Sequence, residues 1–409
     1  MNKNTKILIL VFLLSILLAV YTIPQEKTQA IKEDDKIVSN ENQEKTKEKE
    51  NQEQIKITLL GDLSFEKHKL ENLNIKKLDK YFEHINKYTS SSQITSLNLQ
   101  GSVIDNLDDL SKVSSHIITK SMIESLKAAN IKYIQSANGI NIKDSTSELF
   151  KMQENLSFNN IKYIGSKSSL DEEPYLIEEV NGKKIGLVNF TNLTMRDKFY
   201  YMDNVEISKQ AISLMNTINY ENLEEELKKV KDIIAEMKTK CDFIIFYMNF
   251  LDDNSTLTKD REKRIIEELN KSSVNIIVGL GKNKIKPIEN IKNEFNNNET
   301  LVIYGLGNIK LSDNQCDIES SSIMVNITLD TKDKVIKVAD VSYIPLYVYN
   351  YEETDGIKPR ILPLNDIAIE QNNSSFKNND FSKLEELKKA IIKIVENKEN
   401  KIYIYKNKK

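Results

Sequence analysis

The sequence predicts an α/β fold with a mixed, two-sheet core. Three observations lead to this expectation. Apolar strand-like runs alternate with amphipathic helical segments, two pairs of strands have the pattern of β-hairpins, and several strands end in Gly, Asp or Asn. Alternating strands and helices are typical of layered α/β proteins. Hairpins join antiparallel strands, and a purely parallel Rossmann-type sheet does not contain two of them. We therefore expect two packed sheets of mixed strand direction rather than one Rossmann-type sheet.

The stretch Ile55–Phe65, which begins with the first predicted strand, is the part of the chain around which the others are placed. From Ile55 to Leu59, apolar residues alternate with polar ones, which is the period-two pattern of a strand with one buried face. We expect the strand to end at Gly61-Asp62, the position where ligands and metals gather in layered α/β proteins. Asp62 is then a metal ligand, an anchor for loop backbone or a turn residue, and a Gly-Asp pair alone favours the turn.

The remaining elements follow in chain order. The predicted helices are Leu73–Tyr88, Ser121–Ala129, Thr146–Asn159, Glu221–Thr239, Lys259–Ser272 and Phe381–Glu396. The predicted strands outside the hairpins are Ile94–Leu99, Ile131–Ile134, Lys162–Gly165, Asp242–Met248, Val274–Gly279 and Leu301–Gly305. The predicted hairpins are Tyr175–Val180 with Lys184–Phe190, joined at Asn181-Gly182, and Ile323–Leu329 with Val335–Tyr343. Asn and Gly tolerate the positive φ that a two-residue hairpin turn requires.

Bulk composition excludes some classes of function. The formal net charge is −3, from 58 Lys and Arg against 61 Asp and Glu. Nucleic-acid binding usually needs a clustered basic face, so we expect no nucleic-acid partner. The two cysteines, Cys241 and Cys316, are too few for a disulfide framework, and we expect two free thiols. Histidine is scarce, with only His68, His84 and His116 in the 409 residues.

The N-terminus predicts a single membrane span. Lys3 and Lys6 precede the apolar run Ile7–Ile23, which is just long enough to cross a hydrocarbon core. Positive charge before such a run keeps the N-terminus in the cytoplasm and sends the remainder across. We interpret residues 1–24 as an uncleaved signal anchor, a transmembrane helix, in preference to a cleaved signal peptide, because no convincing cleavage site follows. Either way, the folded part is expected to be extracytoplasmic at the cell membrane.

Composition then divides the exported chain into three parts. Residues 25–54 carry too little apolar surface to offset the entropy of ordering, which predicts a disordered charged linker. This linker is either a tether that lifts a domain off the membrane or a spacer with no role of its own. Residues 55–345 hold the predicted α/β elements. Residues 346–409 form a C-terminal extension, which we expect to be irregular beyond Pro345 except for one amphipathic helix.

Several short motifs stand at the predicted strand ends. In chain order they are Gly61-Asp62, Asn98-Leu99-Gln100-Gly101, Ala137-Asn138, Asp242–Phe250, Val278-Gly279 and Tyr304-Gly305-Leu306-Gly307-Asn308. In order and spacing they resemble the CapA family of capsule or poly-γ-glutamate biosynthesis proteins, which is related to calcineurin-like metallophosphoesterases. The resemblance spans about residues 55–364, and its most specific part is the last motif. It implies a calcineurin-like metallophosphoesterase fold and a role in making a surface polymer.

The family's metal-ligand positions are mostly replaced here. The replacements are Gln100 for Glu, Gly139 for the His after Asn138, Asn249 for His, and Gly281 and Asn283 for paired His. A two-metal hydrolytic site uses a metal-activated water held by anionic and imidazole ligands, whereas Gln and Asn offer only neutral oxygens. The resemblance therefore implies a vestigial site with no metal and no other cofactor. Its candidate residues are Asp62, Gln100, Asn138, Asn249, Asn283 and Asn308.

Functions of different classes remain as alternatives. The favoured one is a membrane-tethered pseudoenzyme that binds or scaffolds a surface polymer or its synthesis machinery, with Asp62, Asn138 and Asn308 as loop anchors. The second is an active metal-dependent hydrolase or transferase that holds a single divalent cation at Asp62 with Asn138. The third is an exported globular protein with an unrelated binding role. Lys and Glu are interleaved along the chain, which gives little support to a polyanion such as poly-γ-glutamate as the ligand.

Overall fold

The computed structural model describes residues 53–75, 78–113, 115–143, 145–251, 255–293, 299–312, 316–370, 376–377, 380–396 and 401–405. The predicted signal anchor, the linker up to residue 52 and most of the polar stretch around residues 372–379 lie outside these ranges. Within them, no helix is both long enough and apolar enough to cross a membrane.

The helices, in chain order, are α1 (Lys67–Asn72), α2 (Asn86–Thr89), α3 (Lys120–Ala128), α4 (Thr146–Phe158), α5 (Lys209–Ser213), α6 (Leu223–Lys240), α7 (Thr256–Lys271), α8 (Ile367–Glu370) and α9 (Asp380–Val395). Side-chain caps mark three of the starts. Thr119 accepts a hydrogen bond from the Met122 N–H before α3, Ser208 accepts one from the Ala211 N–H before α5, and Ser255 accepts one from the Thr258 N–H before α7. Five of the six predicted helices are confirmed with slightly shifted ends, as α3, α4, α6, α7 and α9.

The strands of the first half are β1 (Gln54–Glu66), β2 (Ile94–Gln100), β3 (Ser102–Ile104), β4 (His116–Thr119), β5 (Tyr133–Gln135), β6 (Lys162–Ile164), β7 (Tyr175–Val180), β8 (Lys183–Arg196), β9 (Phe199–Met202) and β10 (Val205–Ile207). Those of the second half are β11 (Thr217–Asn219), β12 (Phe243–Asn249), β13 (Ile276–Leu280), β14 (Ile288–Lys292), β15 (Glu299–Ile303), β16 (Asn308–Ile309), β17 (Ser321–Asp330), β18 (Lys337–Glu353), β19 (Gly356–Pro363) and β20 (Ile402–Ile404). The two predicted hairpins are confirmed as β7–β8 and β17–β18.

Two mixed sheets contain these strands, as the hairpins predicted. The first sheet has the order β19-β18-β17-β1-β2-β5-β6, and the second has the order β10-β9-β8-β12-β13-β15-β14. In the first sheet, β1 lies antiparallel to β17 and parallel to β2. In the second, β8, β12, β13 and β15 run parallel to one another. The predicted motifs lie at or just after the carboxyl ends of β2, β5, β12, β13 and β15, whereas Gly61-Asp62 lies inside β1.

The buried clusters show that the two sheets are the inner layers of a four-layer structure, with helices on both outer faces. Inward-facing side chains such as Ile57 of β1 and Ile245 of β12 share one buried cluster between the sheets. Helices α3 and α4 cover the outer face of the first sheet, with Leu126 in its core. Helices α6 and α7 cover the outer face of the second sheet, with Ile234 in a third buried cluster. Apolar burial on both faces of the sheets is the main stabilising contribution to this architecture.

One predicted helix, Leu73–Tyr88, is wrong. Helix α1 ends before it, at a chain reversal where Asn74 has a φ of 50°. From Leu78 onward the chain forms successive tight turns, such as the hydrogen bond from the Tyr81 N–H to the Leu78 carbonyl. The apolar side chains at helical spacing do face inward, but they do so from turns, because i,i+3 turns and a helix bury residues at similar spacing.

The irregular chain expected beyond Pro345 is also wrong. Pro345 lies inside β18, opposite Ile323 of β17, and β18 continues to Glu353. Tyr347, Tyr349 and Tyr351 belong to the buried cluster between the sheets, and Leu346 and Val348 belong to the cluster on the other face, so this part of β18 is buried on both faces. Strand β19 then pairs with β18, so the chain after residue 345 supplies the edge of the first sheet.

Candidate functional site

Strand β1 does not end at Gly61-Asp62; it continues to Glu66, so the expected strand end and turn are wrong. Its register with β2 shifts between Leu59 and Asp62, which marks a bulge. A Cβ atom on Gly61 would lie 2.4 Å from the Gly307 carbonyl oxygen. Gly61 therefore allows a close backbone approach rather than a turn, and the bulge sets the direction of the Asp62 side chain.

The Asp62 carboxylate, 2% exposed, accepts hydrogen bonds from both sheets. Its Oδ1 accepts from Nδ2 of Asn98 on β2 at 2.6 Å, and its Oδ2 accepts from the backbone N–H of Gly281 after β13 at 3.0 Å. Asn138, which follows β5, continues the chain of amides, because its Nδ2 lies 3.4 Å from Asn98 Oδ1 and 3.1 Å from the Leu99 carbonyl. Neutral N–H donors thus surround this carboxylate.

A second carboxylate, Asp203, enters the site from the turn between β9 and β10. Its Oδ1 accepts from Asn192 Nδ2 at 2.8 Å. Its Oδ2 accepts from Asn249 Nδ2 at 2.7 Å and from the Gly139 N–H at 3.0 Å. Asp203 and Asn204 both have positive φ, 49° and 63°, as a two-residue hairpin turn of this kind requires. The hairpin tip therefore connects the end of β12 to the loop after β5.

Electrostatics couple the two carboxylates. The pKa of Asp203 is raised to about 7, mainly by burial and also by the nearby charge of Asp62, while the hydrogen bonds from Gly139, Asn192 and Asn249 oppose the rise. Each donor favours the ionised form, whereas desolvation and a like charge oppose it. The negative charge of Asp203 is therefore only partly compensated at neutral pH.

Asn283 and Asn308 form a pair beside Asp62. Asn308 is the register partner of Asp62 between β16 and β1, and its Nδ2 donates to Asn283 Oδ1 at 2.7 Å. Asp62 and Asn283 line the same small crevice. Gln100 is buried on β2 opposite Ser64, two residues beyond the register pair of Asp62 and Asn98.

The structure thus brings most of the predicted site residues together and adds others. Those brought together are Asp62, Asn138, Asn249, Asn283 and Asn308, and Gln100 lies on β2 two residues after Asn98. Sequence reasoning did not assign Asn98, Asn192 and Asp203 to the site. For Asp203 the available signal was a hairpin turn, Asp-Asn between two short strand-like runs, which does not reveal what the turn contacts.

The donor set does not fit a two-metal hydrolytic centre. Across the part of the chain that the structure describes, no three His, Cys, Asp or Glu side chains are grouped to hold a metal ion. Both site carboxylates face N–H donors instead. The two buried amide oxygens Asn249 Oδ1 and Asn308 Oδ1 have no hydrogen-bond partner among the described residues.

Three solved structures are similar to this chain at low identity. The calcineurin-like phosphoesterase YfkN from Bacillus subtilis is similar with a TM-score of 0.34 and 12% identity, over 83% of this chain and 98% of that one. A 5′-nucleotidase from Candida albicans is similar with a TM-score of 0.36 and 10% identity, over 82% of this chain and 58% of that one. The sulfate thiohydrolase SoxB from Thermus thermophilus is similar with a TM-score of 0.31 and 9% identity, over 82% of this chain and 60% of that one. No curated protein sequence matches.

The family comparison covers more than half of the chain. The model described as bacterial capsule synthesis protein PGA_cap matches residues 56–313. This range contains the bulge of β1, the strand ends and the hairpin that carries Asp203. The chain therefore belongs to the bacterial capsule synthesis protein family.

Proposed function

We propose that this protein is a membrane-tethered, extracytoplasmic component of capsule or poly-γ-glutamate biosynthesis that binds or scaffolds the polymer or its synthesis machinery without turnover. Family membership supports the role in capsule synthesis. The apolar run Ile7–Ile23 behind Lys3 and Lys6 supports the tether and the orientation. Attachment to the membrane keeps the binding domain where an exported polymer emerges.

The hydrogen bonding of Asp62 carries the non-catalytic part of this proposal. In a metal-dependent hydrolase this carboxylate would ligate a cation that generates the nucleophile. Here Asn98 Nδ2 and the Gly281 N–H occupy its two oxygens. At the positions where the family motif has histidines that would complete a metal centre, the chain has Gly139, Gly281 and Asn249. The site is therefore suited to structural hydrogen bonding and to binding polar groups.

Complementation in capsulated cells tests this function. A strain lacking the gene is expected to lose its capsule, and the wild-type gene is expected to restore it. Asp62→Asn keeps the shape of the side chain, abolishes its charge and replaces one of its two accepting oxygens by a donor. A non-catalytic protein that stays folded in the membrane should then still restore the capsule. Asp171→Asn, at an exposed loop position, is the matched control. Immunoblots of membrane fractions check that each variant is present and membrane-bound. Loss of the capsule with Asp62→Asn alone would contradict the proposal.

A second candidate is an active metal-dependent hydrolase or transferase with a single divalent cation at Asp62. The observation that favours it is the pair of buried amide oxygens, on Asn249 and Asn308, without hydrogen-bond partners among the described residues. Hard cations such as Mg²⁺ and Ca²⁺ bind carboxylate and amide oxygens. A rise in melting temperature with Mg²⁺, Ca²⁺ or Mn²⁺ that Asp62→Asn removes would favour this candidate. The same melting curve with and without each ion would exclude it.

A further inference from the structure

Three neutral donors from three separate elements converge on the carboxylate of Asp203. They are the Gly139 N–H after β5, Nδ2 of Asn192 on β8 and Nδ2 of Asn249 at the end of β12, at 2.7 to 3.0 Å. The charged group among the main influences on Asp203 is another carboxylate, that of Asp62. We call these three donors the cradle. A set of fixed N–H groups aimed at one position is a binding site for a carboxylate.

The cradle is held in place by contacts that do not involve Asp203. Asn192 Nδ2 also donates to the Asn249 carbonyl at 3.1 Å, and both side chains are fully buried. The turn that presents the Gly139 N–H is fixed by the Asn141 N–H, which donates to Asn138 Oδ1 at 3.1 Å. Because these bonds remain when Asp203 is withdrawn, the donors are preorganised for a carboxylate.

Asp203 reaches the cradle from a hairpin at the edge of the second sheet. Strand β10 ends that sheet, and Phe199 on β9 is 53% exposed. The hairpin is seated by the buried Met202, whose carbonyl oxygen would lie 2.2 Å from a Cβ atom on Gly139. The hairpin therefore rests directly on the cradle, and contact with Gly139 controls how closely it approaches.

We propose that the cradle is a carboxylate-binding site and that Asp203 is its internal occupant, so that withdrawal of the β9–β10 hairpin opens the site to a carboxylate on the repeat unit of an acidic polymer. This rests on the proposed polymer-binding function and adds a ligand class and a mode of regulation. The partly compensated charge of Asp203, beside Asp62, makes it an occupant that another carboxylate can replace. A tethered occupant competes at a high effective concentration, so external ligands bind weakly while it is in place.

The first experiment uses the full-length protein and sodium acetate as the probe. Asp203→Ala vacates the cradle, whereas Asp203→Asn keeps it filled with an isosteric side chain. We expect acetate to raise the melting temperature of Asp203→Ala, relative to sodium chloride of equal ionic strength, and to leave the wild type and Asp203→Asn unchanged. Adding Asn192→Ala to Asp203→Ala should abolish the effect. If Asp203→Ala folds only with acetate, the proposal is supported. If acetate neither stabilises it nor restores its folding, the proposal is overturned.

The second experiment tests occlusion and separates two sources of carboxylate. Poly-glutamate and alginate carry carboxylates on peptide and sugar repeats, and dextran is the neutral control. We expect Asp203→Ala to bind at least one of the two acidic polymers about tenfold or more tightly than the wild type, because no internal competitor remains. The proposal would be overturned if the wild type and Asp203→Ala bound the acidic polymers equally tightly. It would also be overturned if Asp203→Ala bound dextran as tightly as the acidic polymers. Loss of the capsule with Asp62→Asn would instead contradict the non-catalytic function and leave the acetate result standing.

Discussion

Asn249 Nδ2 lies 2.7 Å from Oδ2 of Asp203 and joins the end of β12 to the tip of the β9–β10 hairpin. Asn249 occupies a position at which the family motif has histidine, and Asp203 belongs to none of the motifs. A carboxylate that would face a cation in a metal site faces an amide N–H here. This relationship explains how buried acidic groups persist at the strand ends without metal ligands around them.

Asp203→Asn should change how stability depends on pH. Burial raises the pKa of Asp203 from 3.8 to about 7. An acid with a higher pKa in the folded state holds its proton more tightly there, so the free energy of unfolding falls as pH rises from about 4 to about 7. We expect the wild type to lose up to about 1.4 kcal/mol per pH unit in this window, relative to Asp203→Asn. Urea denaturation of both proteins across the window measures this, and a constant difference would refute it.

Gly61→Ala should destabilise the fold by crowding. Its Cβ atom would lie 2.4 Å from the Gly307 carbonyl oxygen, so β1 and the β16 segment must separate. We expect a loss of about 1–3 kcal/mol in the free energy of unfolding, the usual cost of overpacking. Gly182→Ala is the control, because a Cβ atom on Gly182 meets no atom within 4 Å, so any strain there comes from the positive φ of 73° and not from crowding. If both variants lose the same amount, crowding at Gly61 is not the cause.

Asn98→Ala should leave the Asp62 carboxylate short of a donor. The bond from Asn98 Nδ2 to Asp62 Oδ1 is 2.6 Å and buried. Removing one partner of a buried hydrogen bond costs about 1–3 kcal/mol through desolvation of the other. Asn86→Ala, at an exposed position, should change stability by no more than about 0.5 kcal/mol. Chemical denaturation of both variants compares the two losses, and similar values would contradict the role given to Asn98.

Lys282 and Glu262 form a buried ion pair next to the site, with side chains 4% and 9% exposed. Lys282→Met alone should cost about 3–5 kcal/mol, because it leaves a buried carboxylate unpaired. Adding Glu262→Met should recover part of this loss. The exposed pair Lys263–Glu267, 3.9 Å apart, should show a coupling of no more than about 1 kcal/mol in the same double-mutant cycle. Equal coupling energies for the two pairs would disprove the importance of burial here.

The sequence predicted the parts of the fold that local patterns determine. The β7–β8 hairpin follows from Asn181-Gly182 between two strand-like runs, and the two-sheet core follows from the presence of hairpins among βα units. Segment 73–88 was misassigned because turns can bury apolar residues at helical spacing. Beyond Pro345 the chain forms the end of β18 and then β19, and no local pattern specifies the pairing of these strands at the edge of the first sheet.

The candidate site was only partly predictable for a different reason. Asp62 and Asn138 were found because each stands near the end of an apolar strand, and such ends meet at one edge of a parallel sheet. Asp203 was missed because it lies in the turn between β9 and β10 at the edge of the second sheet, and this turn contacts the site. Its partners Asn192 and Asn249 come from two other strands. No local sequence pattern specifies such a contact.

The metal content of the full-length protein, purified without chelators, tests the central claim most directly. The claim is that amides and backbone N–H groups have replaced metal ions as the partners of the site carboxylates. It predicts that elemental analysis finds much less than one equivalent of any divalent metal per chain, for the wild type and for Asp62→Asn alike. One or more equivalents of a tightly held metal in the wild type, lost in Asp62→Asn, would contradict it.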